Sequence, residues 1–141
     1  RARNARPSIA VAALKPHAGD HGKFGREEID IITPAIEACQ RQQMDVSGPW
    51  PSDTVFLKAR RGEVDAVVTM YHDQGQIAIK LMGFERGVTV AGGLPIPIAT
   101  PAHGTAFDIA GQNKANVSAI RQAFDLLLRM AKTHSDNKKS A

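Results

Sequence analysis

The sequence has a single cysteine, Cys39, and few aromatic residues, which make up 5% of the chain. One cysteine cannot form an internal disulfide, so the sequence excludes a disulfide-stabilised secreted scaffold and fits a reducing cytoplasm. Because Cys39 lies within a helical pattern, we expect its thiol to be buried and inert. No apolar run approaches membrane-spanning length, and the first residues form no signal-peptide pattern. We therefore expect no membrane partner.

A stripe of basic residues interleaved with aromatics is also missing, which argues against a nucleic-acid partner. The net charge is +4, and a mildly basic surface favours a small anionic ligand. The 141 residues can bury one core. The first residue is Arg1 rather than methionine, which predicts a fragment of a longer protein.

Strand-like and helix-like segments alternate along the chain. Short β-branched and apolar runs predict strands at 8–14, 65–70 and 87–91. Apolar residues at helical spacing predict helices at 27–43, 77–82 and 116–132, the last with Ile120, Phe124, Leu127 and Leu128 on one face. The alternation predicts an α/β architecture with a mostly parallel sheet and flanking helices, because the intervening segments are long enough for crossovers.

Prolines and polar residues predict where these elements are interrupted. Pro34 should kink the first helix or begin a fresh one. The segment 47–51 is expected to be a rigid loop. After it, Ser52 or Asp53 can cap a short helix that ends at Lys58.

Two predicted strands are each followed by a histidine and, close behind it, an aspartate. His17 and Asp20 follow the first strand, and His72 and Asp73 follow the strand at 65–70. Enzymes with α/β folds place their chemistry beyond the carboxyl ends of the strands, and this residue pair suits a divalent metal or proton transfer. A solvated or capping histidine is the plainer alternative at each position, and both interpretations stay open.

Further motifs stand in order along nearly the whole chain. They are Pro16-His17-Ala18-Gly19-Asp20, Gly25 followed by Glu27-Glu28-Ile29-Asp30, Gly48-Pro49 with Pro51 and Asp53-Thr54, Tyr71-His72-Asp73-Gln74-Gly75, Lys80, and His103-Gly104-Thr105-Ala106. Together they resemble the C-terminal part of the 4-hydroxythreonine-4-phosphate dehydrogenase family, PdxA. That family is similar in fold to the isocitrate and isopropylmalate dehydrogenases, so the resemblance implies the C-terminal part of that α/β fold.

The resemblance implies a division of the chain. Residues 1–82 would be part of the metal-binding and dimerisation domain, and residues 83–134 would return to the NAD-binding domain. Residues 135–141 are polar and are expected to form a disordered tail.

The activity that the resemblance implies is an NAD-dependent, divalent-metal-dependent oxidative decarboxylation of a hydroxy acid in pyridoxine biosynthesis. NADP is an alternative to NAD. The family shares its metal site between subunits, so a homodimer with a shared active site is implied, acting on a small anionic substrate in the cytoplasm.

Individual residues carry over from the same motifs. His17 and His72 match two of the family's three metal-binding histidines, and the third would lie upstream of this chain. Imidazole ligands favour zinc, with magnesium, manganese and cobalt as alternatives. Asp53, Asp73 and Lys80 match catalytic positions, and Lys80 also matches a substrate-binding lysine. The plainer alternatives are a helix cap for Asp53 and a surface residue for Lys80.

A glycine-rich stretch at 103–111 is similar to the adenosine-binding loop of the same dehydrogenases. The cofactor-binding residues that this similarity implies are His103, Gly104, Thr105, Ala106, Asp108 and Asn116. We expect the loop, with Asn116, to line an open cleft beside the final helix, although a plain turn in which His103 only holds the loop is the alternative. The sequence has no G-x-G-x-x-G fingerprint, so a Rossmann nucleotide site is not supported.

Two substrate-binding positions depart from the family pattern. Thr89 stands where the family has an asparagine and Ile98 where it has an arginine, so a bidentate anion clamp is lost. Ile98 lies in an extended segment at 94–98, and alternation turns Ile96 and Ile98 to the same side. These changes favour an alternative substrate class, the cyclic cis-dihydrodiol carboxylates of aromatic degradation. A buried Ile98 would be the ordinary explanation.

A non-catalytic dimerisation or metal-binding fragment is the second alternative. It stays open because the third metal ligand and part of the substrate pocket would lie outside these 141 residues. An upstream segment with a Thr-His pair in the natural gene product would favour the enzyme.

Overall fold

The structure is a computed structural model that describes the backbone of residues 6–139 and the side chains of residues 6–131. The chain divides into two compact units, Arg1–Ala78 and Ile79–Ala141. This boundary falls four residues before the division after residue 82 that the family resemblance implies.

The first unit is built on a three-stranded parallel sheet. Its strands are β1 (Ile9–Ala12), β2 (Val46–Trp50) and β3 (Ala66–Val68), in the order β2-β1-β3. β1 pairs in parallel with both neighbours, which confirms the predicted parallel sheet. Since β1 is the central strand, the residues that follow it start from the middle of the edge formed by the carboxyl ends of the strands.

The segment 47–51 is not a loop, so that prediction is wrong. Most of it forms β2, an edge strand, and the register against β1 shifts between Ala10 and Ala12. A proline lacks the N–H that a central strand needs, but an edge strand with a bulge accommodates Pro49. The backbone N–H of Ala13 donates to the carbonyl of Trp50 at 2.7 Å and extends the pairing.

Helical segments follow the first and second strands of this unit. A π-helical turn, Glu28–Ile32, leads directly into α1 (Thr33–Arg41). Pro34 lies in the first turn of α1, as predicted for a fresh helical start, although Ile32 and Thr33 before it already have helical dihedral angles. α2 (Val55–Arg60) begins after Thr54 without any side-chain cap, so the predicted cap by Ser52 or Asp53 is wrong.

The core of the first unit lies on both faces of β1. Val11 packs with Ile32, Ile36 and Val46 on one face. Ala10, Ala12 and Val55 form a second cluster. Cys39 is half-buried against the first cluster, with no disulfide partner among the described residues. Alternation along β1 explains why adjacent residues belong to different clusters.

α3 (His72–Gly83) is longer than the predicted helix and spans the boundary between the two units. The second unit then contains an antiparallel hairpin of β4 (Val88–Ala91) and β5 (Ile98–Pro101). The expected extended segment at 94–98 joins the ladder only at Ile98. Short 3-10 turns occupy Phe84–Arg86 and Phe107–Ile109.

α4 (Ser118–Lys139) contacts both strands of the hairpin. Ala119 and Ala123 are buried, whereas Ile120, Phe124 and Leu128 are about half exposed, so the predicted apolar face is not the buried face in this unit. The helical backbone continues to Lys139, into the segment 135–141 for which the sequence predicts a disordered tail, and residues 140–141 lie outside the described residues. Within the described part of the chain, no helix is both long and apolar enough to cross a membrane.

Candidate metal and nucleotide sites

The two predicted metal ligands leave the same edge of the first unit's sheet. β1 and β3 are parallel neighbours, so their carboxyl ends lie at one edge. His17 follows β1 in the segment Pro16–Gly22, and His72 opens α3 after β3. The sequence therefore placed both histidines correctly beyond strand ends, although His72 lies in a first helical turn and not in a loop.

The segment Pro16–Gly22 has a left-handed backbone over most of its length. φ is positive at every residue from His17 to Gly22, from 41° at Asp20 to 92° at Gly22. Four of these residues carry side chains, and for them this conformation costs roughly 1–2 kcal/mol each. Such strain persists only where surrounding contacts fix the backbone, and it clusters at functional sites.

A cavity of about 460 Å³ lies against this segment. It is lined by His17, Ala18, Asp20, His21, Glu28, Ile29, Thr33 and Pro49. His72 is not among these residues, so the structure does not bring both predicted ligands into this cavity. Among the described side chains, no three histidine, cysteine, aspartate or glutamate residues are grouped as a metal site.

The His72 ring is oriented by its neighbour. Nδ1 of His72 lies 2.9 Å from Oδ1 of Asp73, and both side chains are exposed. When Nδ1 carries the proton and donates it to Asp73, Nε2 is left with its lone pair free. Metal-binding histidines typically have this arrangement, with the second ring nitrogen donating to a carboxylate.

Gln74 ties the start of α3 to β1. Its Oε1 accepts the backbone N–H groups of Met70 and Tyr71 at 2.9 and 3.2 Å. Its Nε2 donates to the carbonyl of Ala13, next to the end of β1, at 3.0 Å. These bonds fix the backbone that precedes His72 against the strand that leads to His17.

Asp53 is exposed in the turn before α2 and does not line the His17 cavity. Since it is not a helix cap either, the plainer explanation that the sequence offered for this residue is wrong. Among the described residues, the Asp53 side chain has no hydrogen bond or ion pair, and it does not line the cavity.

In the second unit, Lys80 is exposed in the last turn of α3. Thr89 pairs with Thr100 across the hairpin, and Ile98 pairs with Ala91. Thr89 and Ala91 are two residues apart on β4 and therefore share a face. Ile98 lies directly opposite Ala91, so Thr89 and Ile98 lie on the same face of the hairpin. Ile98 is 44% exposed, and thus a buried isoleucine does not explain this departure.

The second unit has a cleft beside its final helix, at the place predicted for the nucleotide. Its volume is about 450 Å³, within the usual range for ligand pockets. The lining residues are Phe84, Glu85, Pro101, His103, Ala106, Ile109, Ala115, Asn116, Val117, Ala119 and Ile120. The cleft is mostly apolar, with a few polar groups at its edges.

Three of the six predicted nucleotide residues line this cleft: His103, Ala106 and Asn116. Gly104, Thr105 and Asp108 belong to the same loop but do not line it. Asn116 Oδ1 accepts the backbone N–H of Ser118 at 2.9 Å, so its side-chain N–H group is the freer one for a ligand. His103 Nδ1 lies 2.9 Å from its neighbour's carbonyl, which orients the ring.

Comparison with known proteins identifies the family. The model of the family described as "Pyridoxal phosphate biosynthetic protein PdxA" matches residues 1–127. The chain belongs to the PdxA family. A Pseudomonas aeruginosa relative, provisionally named a second 4-hydroxythreonine-4-phosphate dehydrogenase, is 66% identical over 131 residues, covering 91% of this chain and 39% of the relative. A D-threonate 4-phosphate dehydrogenase from Pectobacterium atrosepticum is 49% identical over 89% of this chain and 38% of its own length.

Solved structures agree with the PdxA assignment. A crystal structure of 4-hydroxythreonine-4-phosphate dehydrogenase from Klebsiella pneumoniae matches with a TM-score of 0.78 and 47% identity, over 89% of this chain and 38% of that one. A terephthalate 1,2-cis-dihydrodiol dehydrogenase from Burkholderia xenovorans LB400 matches with a TM-score of 0.58 and 32% identity, over 87% and 39%. The chain thus spans about two-fifths of the length of the relatives it matches.

The residues of this PdxA chain fit a divalent metal in two respects. His72 presents a ring nitrogen with its partner nitrogen held by Asp73. His17 is exposed, lines a cavity and lies in a segment with a strained left-handed backbone. Two imidazoles leave coordination positions open for other ligands.

Two residues with clear roles in building the site were not singled out by their chemistry in the sequence. Glu28 and Gln74 both bond to backbone groups at the end of β1. Each stands inside a family motif, but nothing in the sequence indicates which backbone groups it reaches. Those bonds join residues 13 to 61 positions apart, so only the folded chain reveals them.

Proposed function

We propose that this chain is part of an NAD-dependent, divalent-metal-dependent dehydrogenase that oxidises and decarboxylates a 4-phosphorylated hydroxy acid. The observation that carries the proposal is the extent of the similarity: relatives named as dehydrogenases of 4-hydroxythreonine 4-phosphate or D-threonate 4-phosphate match about nine-tenths of the chain. The two substrates share the terminal phosphate and the oxidisable hydroxyl, so both belong to the proposed class.

We place this activity in an isocitrate/isopropylmalate dehydrogenase-like fold. The first unit would belong to the metal-binding and dimerisation domain, and the second to the NAD-binding domain. The metal site would be completed by residues outside the described part of the chain, including a partner subunit in a homodimer. The two histidines at one sheet edge support this arrangement, since two ligands alone do not complete a coordination shell.

The metal would be held by His17 and His72. It would supply Lewis-acid chemistry to the substrate hydroxyl and to the carbonyl that replaces it. Asp73 orients the His72 ring by holding Nδ1, and it is placed to assist proton transfer because it is exposed next to that ring. Zinc is the metal that imidazole ligands favour, with magnesium, manganese or cobalt as alternatives.

Lys80 is assigned to the substrate. Its exposed ammonium group can bind a phosphate or carboxylate and can donate a proton to the carbon that loses carbon dioxide. Asp53 is assigned a supporting role in proton transfer, from the resemblance alone.

The cleft of the second unit would hold the adenosine part of NAD. Its apolar walls suit the faces of an adenine ring, and the side-chain N–H group of Asn116 can donate to a ring nitrogen. NADP is the alternative cofactor. The reacting end of the cofactor would extend beyond this cleft.

A cis-dihydrodiol carboxylate is the second candidate substrate class. The observation that favours it is Ile98, an exposed aliphatic residue that shares a hairpin face with Thr89 and stands where the family has an arginine. Without a guanidinium this face offers no bidentate phosphate clamp and provides an apolar surface suited to a ring.

One assay decides between the two classes. The intact gene product would be given NAD and zinc with 4-hydroxythreonine 4-phosphate, D-threonate 4-phosphate or a terephthalate cis-dihydrodiol, and NADH formation followed by absorbance. We expect a phosphorylated acid to have the highest kcat/KM, and the pair Thr89→Asn and Ile98→Arg to raise it further. Val90→Arg, which adds the same charge at an exposed position on the opposite face of the hairpin, is the control and should not raise it. Turnover of the dihydrodiol alone would overturn the proposed substrate class.

A further inference from the structure

Glu28 is the one buried charged side chain among those the structure describes, with 2% of its surface exposed. Its Oε1 accepts two backbone N–H groups, from Leu14 at 2.9 Å and from Lys15 at 2.6 Å. Lys15 stands two residues before His17. The carboxylate therefore fixes the direction in which the chain leaves β1 and enters the segment Pro16–Gly22.

The second oxygen of Glu28 lies against the middle of the same segment. Oε2 is buried and has no hydrogen-bond partner among the described residues. It is 2.9 Å from the point that a Cβ on Gly19 would occupy, and Gly19 has a φ of 82°. Only a glycine leaves room for the carboxylate here without displacing it. Glu28 thus contacts the chain just before the segment begins and again at the segment's centre.

The segment's other polar contacts among the described residues are weaker: its carbonyls accept three backbone N–H groups at 3.2–3.4 Å, and one of its side chains forms an ion pair. Asp20 pairs with Lys23 at 2.9 Å, but the Lys23 side chain is 74% exposed, and exposed ion pairs contribute little. A left-handed run that includes four residues with side chains needs a firmer attachment, because it is strained at each of them.

We propose that Glu28 is a positioning residue that holds the segment Pro16–Gly22 in its left-handed form and so sets the direction of the His17 side chain at the cavity. The part of this inference that concerns metal affinity rests on the proposed function. The part that concerns the orientation of His17 does not.

Three variants separate the effects of hydrogen bonding, charge and general stability. Glu28→Gln keeps an oxygen that can accept both backbone N–H groups while the charge is lost. Glu28→Ala removes the acceptor and leaves Leu14 and Lys15 without their partner. Val55→Ala is the matched control, because Val55 is equally buried but lies in the second core cluster, which does not include the segment.

The experiment uses the intact gene product without metal, and then with zinc chloride as the probe. Hydrogen exchange at the amides of Leu14 and Lys15, and the NMR signal of the His17 ring, report the segment directly. In Glu28→Ala we expect at least about tenfold faster exchange at both amides, a shifted His17 signal, and zinc affinity lowered by about 10–100-fold. Glu28→Gln and Val55→Ala should resemble the wild type in all three measurements.

An unchanged His17 signal in Glu28→Ala would overturn the inference, as would an equal loss of zinc affinity in Val55→Ala. If no form of the protein binds zinc but the His17 signal still shifts in Glu28→Ala, the proposed metal site fails and the positioning role stands. Should Glu28→Ala not fold, Gly19→Ala displaces the same carboxylate from the other side. It should then shift the His17 signal in the metal-free protein, and an unchanged signal would again overturn the inference.

Discussion

At the scale of single residues, Gly48 allows β2 to approach β1. A Cβ at this position would lie 2.5 Å from the carbonyl oxygen of Val11, and the backbone there has a φ of 132°. Both the close approach and the dihedral angle need a residue without a side chain. Gly48 in the motif Gly48-Pro49 is therefore explained by packing in the sheet that carries His17, and it requires no direct role in chemistry.

Replacing Gly48 by alanine tests this explanation. We expect Gly48→Ala to lower the free energy of unfolding by about 3 kcal/mol, since backbone strain and a steric clash add together. Gly62→Ala is the control, because Gly62 also has a positive φ, of 76°, but nothing lies within 4 Å of its missing Cβ. That variant should lose only about 1 kcal/mol. Equal losses in urea unfolding would show that the contact with Val11 is unimportant.

At the scale of elements, sequence patterns predicted those strands and helix starts that depend only on the spacing of nearby residues. The strands β1, β3 and β4 were found from apolar runs, and the start of α1 from Pro34. β2 was missed because Gly48 and Pro49 read as a loop, whereas pairing with β1 makes them an edge strand. The prediction for the buried face of α4 was wrong because its buried residues are Ala119 and Ala123 and not the larger apolar side chains.

The junction between the end of β1 and the turn Glu28–Ile32 contains an ion pair, with Lys15 Nζ 3.1 Å from Glu27 Oε1. The pKa of Glu27 is lowered from its usual value of 4.5, first by a hydrogen bond to its own backbone and then by Lys15. Because the pKa of Glu27 is lower in the folded state, the ionised carboxylate stabilises the fold fully above pH 4.5. This stabilisation is lost as the pH falls through the pKa that Glu27 has in the folded protein.

Glu27→Gln should therefore remove a stabilisation that depends on pH. We expect the difference in unfolding free energy between wild type and Glu27→Gln to be constant near neutral pH and to shrink in acid. Urea unfolding at a series of pH values measures it. Lys15→Met removes one of the two causes and should weaken the same pH dependence. A difference that grows on acidification would contradict the assignment.

At the scale of the whole molecule, family membership could be predicted from the sequence, whereas the completed site could not. Motifs with His17, His72 and His103 indicated the PdxA family, which the family model confirms over residues 1–127. The structure adds that His17 and His72 leave one sheet edge and that His103 and Asn116 share a cleft. Thr89 and Ile98 are the positions at which we propose that substrate choice is set, and the chain spans only about two-fifths of the length of its relatives.

The most direct test of the account is the zinc content of the intact gene product after metal depletion and reconstitution, measured by mass spectrometry. We predict that the wild type retains zinc and that His17→Ala and His72→Ala each lose it, with affinity lowered by at least about 100-fold because each would remove a proposed metal ligand. Arg41→Ala, which alters an exposed residue on α1, is the control and should retain zinc. Full zinc content in both histidine variants would contradict the account.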